Sequence, residues 1–348
     1  MAVTTFAAID ISSYEITMKI FEFSKKGGFR TVDDIRYRLN LGVGVYSGGT
    51  MEVDKVDTIC EVLNDFKRIM AEYGVKDYRA CTTSVFREMK NPLIIIEQIF
   101  RRTGIHVEVL SNAEQHFLGY KSIAAIENGF KKMIQKGTAI LDVGGGNLQI
   151  SLFDKDALVT TQSLKMGSVR IRQRLKELEK TNTNYAQLVE EFIRNDLTGF
   201  KRLYLKDREI KNLILMGDFL TETIFREERQ DNIITRAEFE KRYENTVYKT
   251  ETSLSEEMDI DPEYAALIVP TMVKILWIFS MQKRFGCQVY LFLMALPMIS
   301  GKRRILLRAH IILKMIFWWQ PETLPNVILL ERIILRVLPT LPWRFLTA

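Results

Sequence analysis

Two short segments of the chain place an aspartate at the end of an apolar run and then make a tight turn. Asp10 precedes a pair of serines, and Asp142 precedes three glycines and an asparagine. Consecutive backbone N–H groups in a tight turn form a concave set of donors for an anion, and glycines allow close approach. An aspartate beside the turn could hold a divalent cation, which neutralises phosphate charge. The pattern therefore predicts phosphate binding, with Asp10 and Asp142 as metal ligands. The candidate phosphate-binding residues are Ser12, Ser13, Gly144, Gly145, Gly146 and Asn147.

The two segments align with each other without a gap. Residues 7–10 match residues 139–142, and residues 16–21 match residues 148–153. After each turn the apolar residues alternate, which is the period of a half-buried strand. Each copy is therefore predicted to be a strand, a tight turn and an antiparallel strand. The alternative is a glycine-rich hairpin with a bulge that binds no ligand. The matched aspartates favour two facing hairpins that clamp one phosphate chain.

The elements around the two hairpins alternate between helix and strand patterns. Apolar residues recur at helical spacing over residues 53–73, and a later strand is followed by a helix that Ser111 or Asn112 could cap. Alternation of this kind is typical of the α/β class. The duplicated hairpin divides the body into two subdomains, residues 1–128 and 129–270, with a cleft between them.

Composition narrows the class of protein. The chain has 348 residues, 47% of them apolar, which is enough for a substantial core. The N-terminus shows no secretory pattern, and three widely separated cysteines suggest reduced thiols, so the cytoplasm is the expected location. The net charge of +6 comes from a basic segment after Pro270, while the slightly acidic body gives no sign of nucleic-acid binding. The three histidines show no catalytic spacing and are expected to be ordinary core or surface residues.

Five stretches of the sequence carry a family resemblance in their order and spacing. They are the two hairpins at residues 7–21 and 139–153, the glycine-rich loop at 41–50, TTSVFRE at 82–88 and VEVLSNAEQHFLGY at 107–120. Together they resemble the exopolyphosphatase/guanosine pentaphosphate phosphohydrolase (Ppx/GppA) family of the actin-like ATPase superfamily. The resemblance implies two actin-like (ribonuclease H-like) subdomains that remove terminal phosphates from polyphosphate or guanosine pentaphosphate with magnesium. It also implies a place in the bacterial stringent response and raises a homodimer as the assembly.

The resemblance assigns catalytic roles to four further positions. Arg87 looks like the family's phosphate-contacting arginine. The family's proposed catalytic base is a glutamate that falls on Gln115, the preceding glutamate falls on Glu114, and a third carboxylate falls on Gln149. Glutamine can hold a water molecule but has no basic carboxylate, and a general base contributes about 10²–10⁴ in rate.

Two functions follow from these replacements, and a third is disfavoured. The chain could be a phosphohydrolase, which the aspartates and Arg87 favour. It could instead be a non-catalytic sensor that binds polyphosphate or a nucleotide, which Gln115 and Gln149 favour. A sugar kinase is disfavoured because the sequence shows no set of residues that would recognise a sugar.

Residues 271–348 are predicted to be an irregular tail from a shifted reading frame. All four tryptophans lie after Pro270, no aspartate follows Asp261, and the family's Asp-Gly-x-Ala-Tyr segment is missing. With common codon choices, the codons for residues 293–299 spell that segment in another frame. A basic membrane-surface helix is the alternative for this tail, whose uncharged run at 288–300 is too short to span a membrane.

Overall fold

The structure is a computed structural model that describes residues 4–24, 28–126, 130–179, 185–205, 208–217, 233–258, 262–280 and 288–292. The first of its two sheets is built from β1 (Thr4–Ile11), β2 (Glu15–Ser24), β3 (Gly28–Arg38), β4 (Asp77–Thr82) and β5 (Val107–Val109). The spatial order is β3-β2-β1-β4-β5. The three strands β1 to β3 form an antiparallel meander, and β4 and β5 add to β1 in parallel.

The second sheet repeats the arrangement of the first. It contains β6 (Thr138–Val143), β7 (Leu148–Asp154), β8 (Ala157–Leu164), β9 (Asn212–Met216), β10 (Ile233–Thr235) and β11 (Gln288–Phe292), in the order β10-β11-β9-β6-β7-β8. Again an antiparallel meander, β6 to β8, is extended by parallel strands, here β9 and β11. The predicted duplication and the α/β class are therefore confirmed, because each aspartate-tipped hairpin begins the same five-strand arrangement, to which the second sheet adds the antiparallel β10.

Helices pack on both sheets. They are α1 (Gly42–Gly48), α2 (Val53–Glu72), α3 (Ser84–Arg87), α4 (Pro92–Thr103), α5 (Asn112–Ile126), α6 (Phe130–Ile134), α7 (Ser168–Glu179), α8 (Tyr185–Phe200) with a π-helical turn (Lys201–Leu205), α9 (Arg236–Val247), α10 (Glu251–Met258) and α11 (Pro262–Ser280). Helix α2 buries Ile59, Leu63 and Phe66 on one face, as the spacing predicts. It ends before Gly74, which adopts a left-handed φ of 62°.

The helix α5 links the two sheets. It follows β5 of the first sheet in sequence, but its side chains Tyr120 and Ile123 pack with Phe153 and Ile214 of the second sheet. Leu118 of the same helix packs with Cys81 and Leu110 on the side of the first sheet. The predicted division between residues 128 and 129 therefore falls after a helix with core contacts to both sheets. The subdomain boundaries themselves stay predictions.

The glycine-rich segment at residues 41–50 is not a simple loop. It contains the short helix α1, which is interrupted by non-helical backbone at Val43 and Gly44. The helix ends at Gly48 and is capped by Gly49, which has a left-handed φ of 75° and whose N–H donates to the Val45 carbonyl. The glycines therefore interrupt and end a short helix. This helix places Tyr46 against the core of the second sheet.

Regular elements continue past residue 271 in the described part of the chain, and the boundary of the predicted tail stays a prediction. Helix α11 runs across that position to Ser280, and β11 pairs in parallel with β9 inside the second sheet. Apolar residues that fit a core face, such as Met272 and Val273, continue past the predicted boundary and are buried. The segment proposed to encode a shifted frame, residues 293–299, lies outside the described residues. Within the described part of the chain, no helix is long and apolar enough to cross a membrane.

Candidate active site

The two aspartates come together at one cleft between the sheets. Asp10 lies near the end of β1 and Asp142 near the end of β6, the first strand of each meander. Both line a cleft of about 920 Å³, its open mouth included. The duplicated hairpin predicts this juxtaposition. The predicted residues that line the cleft are Asp10, Ser12, Ser13, Gln115, Asp142, Gly144, Gly145 and Asn147; Arg87, Glu114, Gly146 and Gln149 do not line it.

The glycine turn is held from behind by the start of α7. The backbone N–H groups of Gly167, Ser168 and Arg170 donate to the carbonyls of residues 146, 144 and 145, respectively. The Gly144 N–H closes the turn on the Asn147 carbonyl. In the described part of the chain, the Gly145 N–H has no protein acceptor. This fixed turn can therefore offer a backbone donor to an anion in the cleft.

Gly146 serves a different contact. A Cβ at this position would lie 2.0 Å from the Tyr46 Oη and 2.3 Å from the Ser84 Oγ, closer than any stable contact. Ser13 and Tyr46 share a short hydrogen bond, and the Tyr46 and Ser84 hydroxyl oxygens are 3.0 Å apart. Glycine is thus required because the turn of the second hairpin touches the hydroxyl groups of Tyr46 on α1 and Ser84 on α3. Its predicted role in phosphate binding stays a prediction.

An arginine that sequence reasoning missed completes this contact. The Arg170 guanidinium lies 3.9 Å from the centre of the Tyr46 ring and donates to the Gly146 carbonyl at 2.9 Å. It also pairs with Glu88 at 2.7 Å. Burial raises the pKa of Tyr46, so the phenol stays protonated and can donate. Arg170 belongs to the RIRQR run of α7, and nothing in that run distinguishes it from the neighbouring arginines.

The two serines of the first turn are engaged with protein groups. The Ser12 Oγ donates to the Glu15 carbonyl at 2.9 Å, which closes the turn. Ser13 is held by Tyr46 and lies 3.3 Å from the Ser84 Oγ. Both serines line the cleft. The observed contacts of both serines therefore stabilise the turn, and their contact with phosphate stays a prediction.

Gln115 bridges Arg87 and Asp142. Its Oε1 accepts a hydrogen bond from the Arg87 Nη2 at 3.3 Å, and its Nε2 donates to the Asp142 Oδ2 at 3.3 Å. Arg87 also donates to the Leu110 carbonyl at 2.5 Å, so the guanidinium is anchored behind α5 rather than extended into the cleft. The amide oxygen of Gln115 thus contacts a cationic group, and its amide nitrogen contacts a carboxylate. A glutamate here would face Asp142 with a like charge.

Glu114 has a structural role at the start of α5. Its carboxylate accepts from the Ser111 N–H at 2.8 Å, and the Ser111 Oγ accepts from the Glu114 N–H at 3.2 Å. This reciprocal pair is a capping box, and it identifies Ser111 as the cap. Gln149 is buried on β7, directly across from Asp142. Neither Glu114 nor Gln149 lines the cleft. Of the residues that the sequence suggests for orienting the attacking water, Gln115 is the one that lines it.

A buried polar network fixes the first turn of α5. The His116 Nδ1 is hydrogen-bonded to the Thr161 Oγ1 at 2.5 Å, and Thr161 lies 2.9 Å from the Ser151 Oγ. The Tyr120 hydroxyl is 2.6 Å from Ser151. Burial, with a contribution from Arg87, lowers the pKa of His116 to about 4. His116 is therefore a core histidine, as expected, and it ties the helix that carries Gln115 to β8.

We expect His116 to make the protein less stable as the pH falls from 6.5 to 4. The unfolded histidine, with a pKa of 6.5, takes up a proton in this window, whereas the folded one does not until about pH 4. The effect is about 0.4 kcal/mol at pH 6.5, vanishes at higher pH and reaches about 3 kcal/mol at pH 4. Urea unfolding of the wild type and of His116→Asn at each pH measures it. Equal pH slopes in the two proteins would contradict the prediction.

The cleft lining is acidic. Asp10, Glu15 and Asp142 line it, and no lysine or arginine is among the lining residues. A phosphate chain would therefore need a cation there. In the described residues, no group of three or more histidine, cysteine, aspartate or glutamate side chains could hold a metal. Two carboxylates, with water and phosphate oxygens completing the shell, are a common set for Mg²⁺. The Asn147 Oδ1 is also buried without a protein partner in the described part of the chain.

Comparison with known proteins gives consistent results. The family model of the Ppx/GppA phosphatase family matches residues 20–282. A bifunctional 3-dehydroquinate synthase/phosphatase of Fusobacterium nucleatum is 23% identical over 61% of this chain and 31% of its own length. A guanosine-5'-triphosphate,3'-diphosphate pyrophosphatase of Vibrio parahaemolyticus is 22% identical over 47% of this chain and 32% of its own length. An exopolyphosphatase 1 of Mycobacterium tuberculosis is 20% identical over 47% of this chain and 46% of its own length. The matches thus span less than half the length of these curated relatives.

Solved structures share the fold. The crystal structure of an Aquifex aeolicus Ppx/GppA protein superimposes with a TM-score of 0.65 at 17% identity, covering 90% of this chain and 99% of that one. The crystal structure of an exopolyphosphatase from Cytophaga hutchinsonii superimposes with a TM-score of 0.70 at 16% identity, covering 90% of this chain and 98% of that one. These likenesses show the two-subdomain, actin-like fold. Since the family match extends over well more than half of the chain, this protein belongs to the Ppx/GppA phosphatase family.

Proposed function

We propose that the cleft binds and hydrolyses the terminal phosphates of polyphosphate or of a guanosine polyphosphate. The observation that carries this proposal is the convergence of Asp10, Asp142 and the glycine turn on one cleft. The names of the relatives support the substrate class, since one is a guanosine polyphosphate pyrophosphatase and another an exopolyphosphatase. The same proposal places the protein in the stringent response.

Magnesium is the proposed cofactor. Asp10 and Asp142 would hold it, and the buried Asn147 Oδ1 is an acceptor suited to one of its water ligands. When bound, the cation would neutralise charge on the phosphate chain. The acidic lining supports this proposal, because carboxylates alone repel phosphate.

The chain's own residues supply the remaining parts of the reaction. The oxygen of a water molecule must bond to the terminal phosphorus while the anhydride P–O bond to the rest of the chain breaks. The Gly145 N–H is the proposed donor to a terminal phosphate oxygen. Gln115 is the proposed residue that orients the water through its amide. Because the amide is not a base, the water's proton leaves to solvent or to the released phosphate, and we propose that turnover is slow.

The test is phosphate release from long-chain polyphosphate and from guanosine pentaphosphate with Mg²⁺. We expect slow release of orthophosphate that Asp142→Asn reduces by about 10²–10³ and that chelation of Mg²⁺ abolishes. The thermal unfolding temperature of Asp142→Asn serves as the control for folding. Release that persists unchanged in Asp142→Asn would show that the activity arises elsewhere.

A non-catalytic sensor is the second candidate. The observation that favours it is Gln115, whose amide already satisfies both Arg87 and Asp142. Such a protein would bind polyphosphate or a guanosine polyphosphate without releasing phosphate. Tight Mg²⁺-dependent binding by calorimetry, together with no release after prolonged incubation, would support the sensor over the hydrolase.

The location and the assembly are also proposals. We propose the cytoplasm because Cys60 and Cys81 are free and buried, as in proteins of reducing compartments; Cys287 lies outside the described residues. We propose a homodimer on the family resemblance. Light scattering on the purified chain would give twice the monomer mass of 40.5 kDa if this is so.

A further inference from the structure

Helix α11 carries a lysine in the interior of the second subdomain. Lys274 is fully buried, and in the described part of the chain no carboxylate pairs with it. Its Nζ lies 3.4 Å from the Ser168 Oγ, to which it can donate. The Thr271 hydroxyl, one turn earlier on the same helix, is 2.5 Å from the same Ser168 oxygen. Ser168 is therefore held by two polar groups of α11.

Ser168 connects this lysine to the cleft. Ser168 lines the cleft at the start of α7. Its backbone N–H donates to the Gly144 carbonyl, so the same residue supports the glycine turn. Lys274 thus lies one side chain behind the cleft wall, on the side of the second hairpin.

A buried lysine without a carboxylate is costly for folding. Desolvation lowers the pKa of Lys274 to about 7, because the interior disfavours the charged form. An apolar side chain such as methionine would fill similar space without this cost. The apolar surroundings therefore do not explain the lysine, whereas an anion close by would favour its charged form.

We propose that Lys274 supplies a buried positive charge to the cleft through Ser168, and that anion binding in the cleft depends on this charge. The inference rests on the proposed function for the nature of the anion, a phosphate chain. It follows from geometry, because the lining holds three carboxylates and no cationic side chain, whereas Lys274 stands directly behind one lining residue. Lys274 is a positioning residue here, since it acts through Ser168.

A second buried lysine provides a matched control. Lys121 on α5 is also buried, and desolvation lowers its pKa to about 8. Its ammonium lies 4.5 Å from the centre of the Phe117 ring, and Lys121 does not line the cleft. Replacing either lysine by methionine removes one buried charge, but only Lys274 is joined to a cleft residue.

The experiment measures binding of tripolyphosphate and of inorganic phosphate by calorimetry with Mg²⁺ present, for the wild type, Lys274→Met and Lys121→Met. We expect Lys274→Met to weaken binding about tenfold while raising the unfolding temperature. Lys121→Met should raise the unfolding temperature and leave binding unchanged. A destabilised fold cannot imitate this result, because the weaker binder would be the more stable protein. Equal affinities of Lys274→Met and the wild type would overturn the inference, as would an equal loss in Lys121→Met.

Binding and hydrolysis separate this inference from the proposed function. If the wild type binds the anions, loses affinity with Lys274→Met and releases no phosphate, the inference stands and the hydrolase proposal fails. If phosphate is released and Lys274→Met binds and turns over as the wild type does, the hydrolase proposal stands and the inference fails. Absence of anion binding in the wild type overturns both.

Discussion

Gln115→Glu is expected to raise phosphate release by up to about 10²–10⁴, the usual contribution of a general base. Gln115 is the residue of the cleft lining that already reaches both Arg87 and Asp142, each at 3.3 Å. A carboxylate in this place would keep the contact with Arg87 and could accept a proton from water. It would also face Asp142 with a like charge, so the gain should require Mg²⁺.

The controls for this variant come from its neighbours. Glu114→Gln keeps the capping geometry and does not touch the cleft, so it should leave release unchanged. Gln149→Glu should add nothing to Gln115→Glu, because its side chain is buried outside the cleft lining. Rates are measured with long-chain polyphosphate at fixed Mg²⁺. No gain from Gln115→Glu while tripolyphosphate binding is intact would show that loss of the base is not the defect, and it would favour the sensor.

Gly146→Ala is expected to destabilise the protein by about 1–3 kcal/mol, the range for overpacking a tight contact. The added methyl would lie 2.0 Å from the Tyr46 Oη and 2.3 Å from the Ser84 Oγ. Both neighbours are held in place by hydrogen bonds, and Arg170 covers the Tyr46 ring. The contact joins the two halves of the cleft, so the variant should also weaken anion binding.

A matched glycine shows whether the effect belongs to this contact. Gly199 lies inside α8, and a Cβ there would meet nothing within 4 Å. Gly199→Ala should therefore stabilise the protein by roughly 0.5–1 kcal/mol, because alanine favours a helix. Tyr46→Ala should relieve much of the cost of Gly146→Ala in a double-mutant cycle of urea unfolding. Additive effects of the two substitutions would refute the close contact.

Sequence reasoning located the centres of both sheets but not what surrounds them. Asp10 and Asp142 could be found because each ends a short apolar strand, and strand periodicity is a local property. The capping of α5 was found as an alternative between Ser111 and Asn112, since caps depend on a few adjacent residues. Tyr46 and Arg170 were missed because they meet across more than a hundred residues, and neither has a distinctive local pattern.

The last strand of the second sheet could not be predicted from the sequence. The altered composition after Pro270 predicts a tail, whereas α11 extends past that residue and β11 pairs with β9. Composition describes a long segment on average, whereas a short strand such as β11 can form wherever a few apolar residues lie next to an unpaired strand edge. The edge of β9 with which residues 288–292 pair exists only in the folded sheet, so the sequence of these residues does not reveal it.

The amino-acid sequence alone predicts the α/β class, the duplication, the two aspartate-tipped hairpins and the family. These properties follow from short-range periodicity and from motifs that recur in a fixed order. Two contacts became visible only in the folded chain: Gln115 bridges Arg87 to Asp142, and Lys274 lies behind Ser168. The role of a polar side chain depends on its partners and its burial. Both are set by chain packing between residues far apart in sequence, so no local pattern could have shown them.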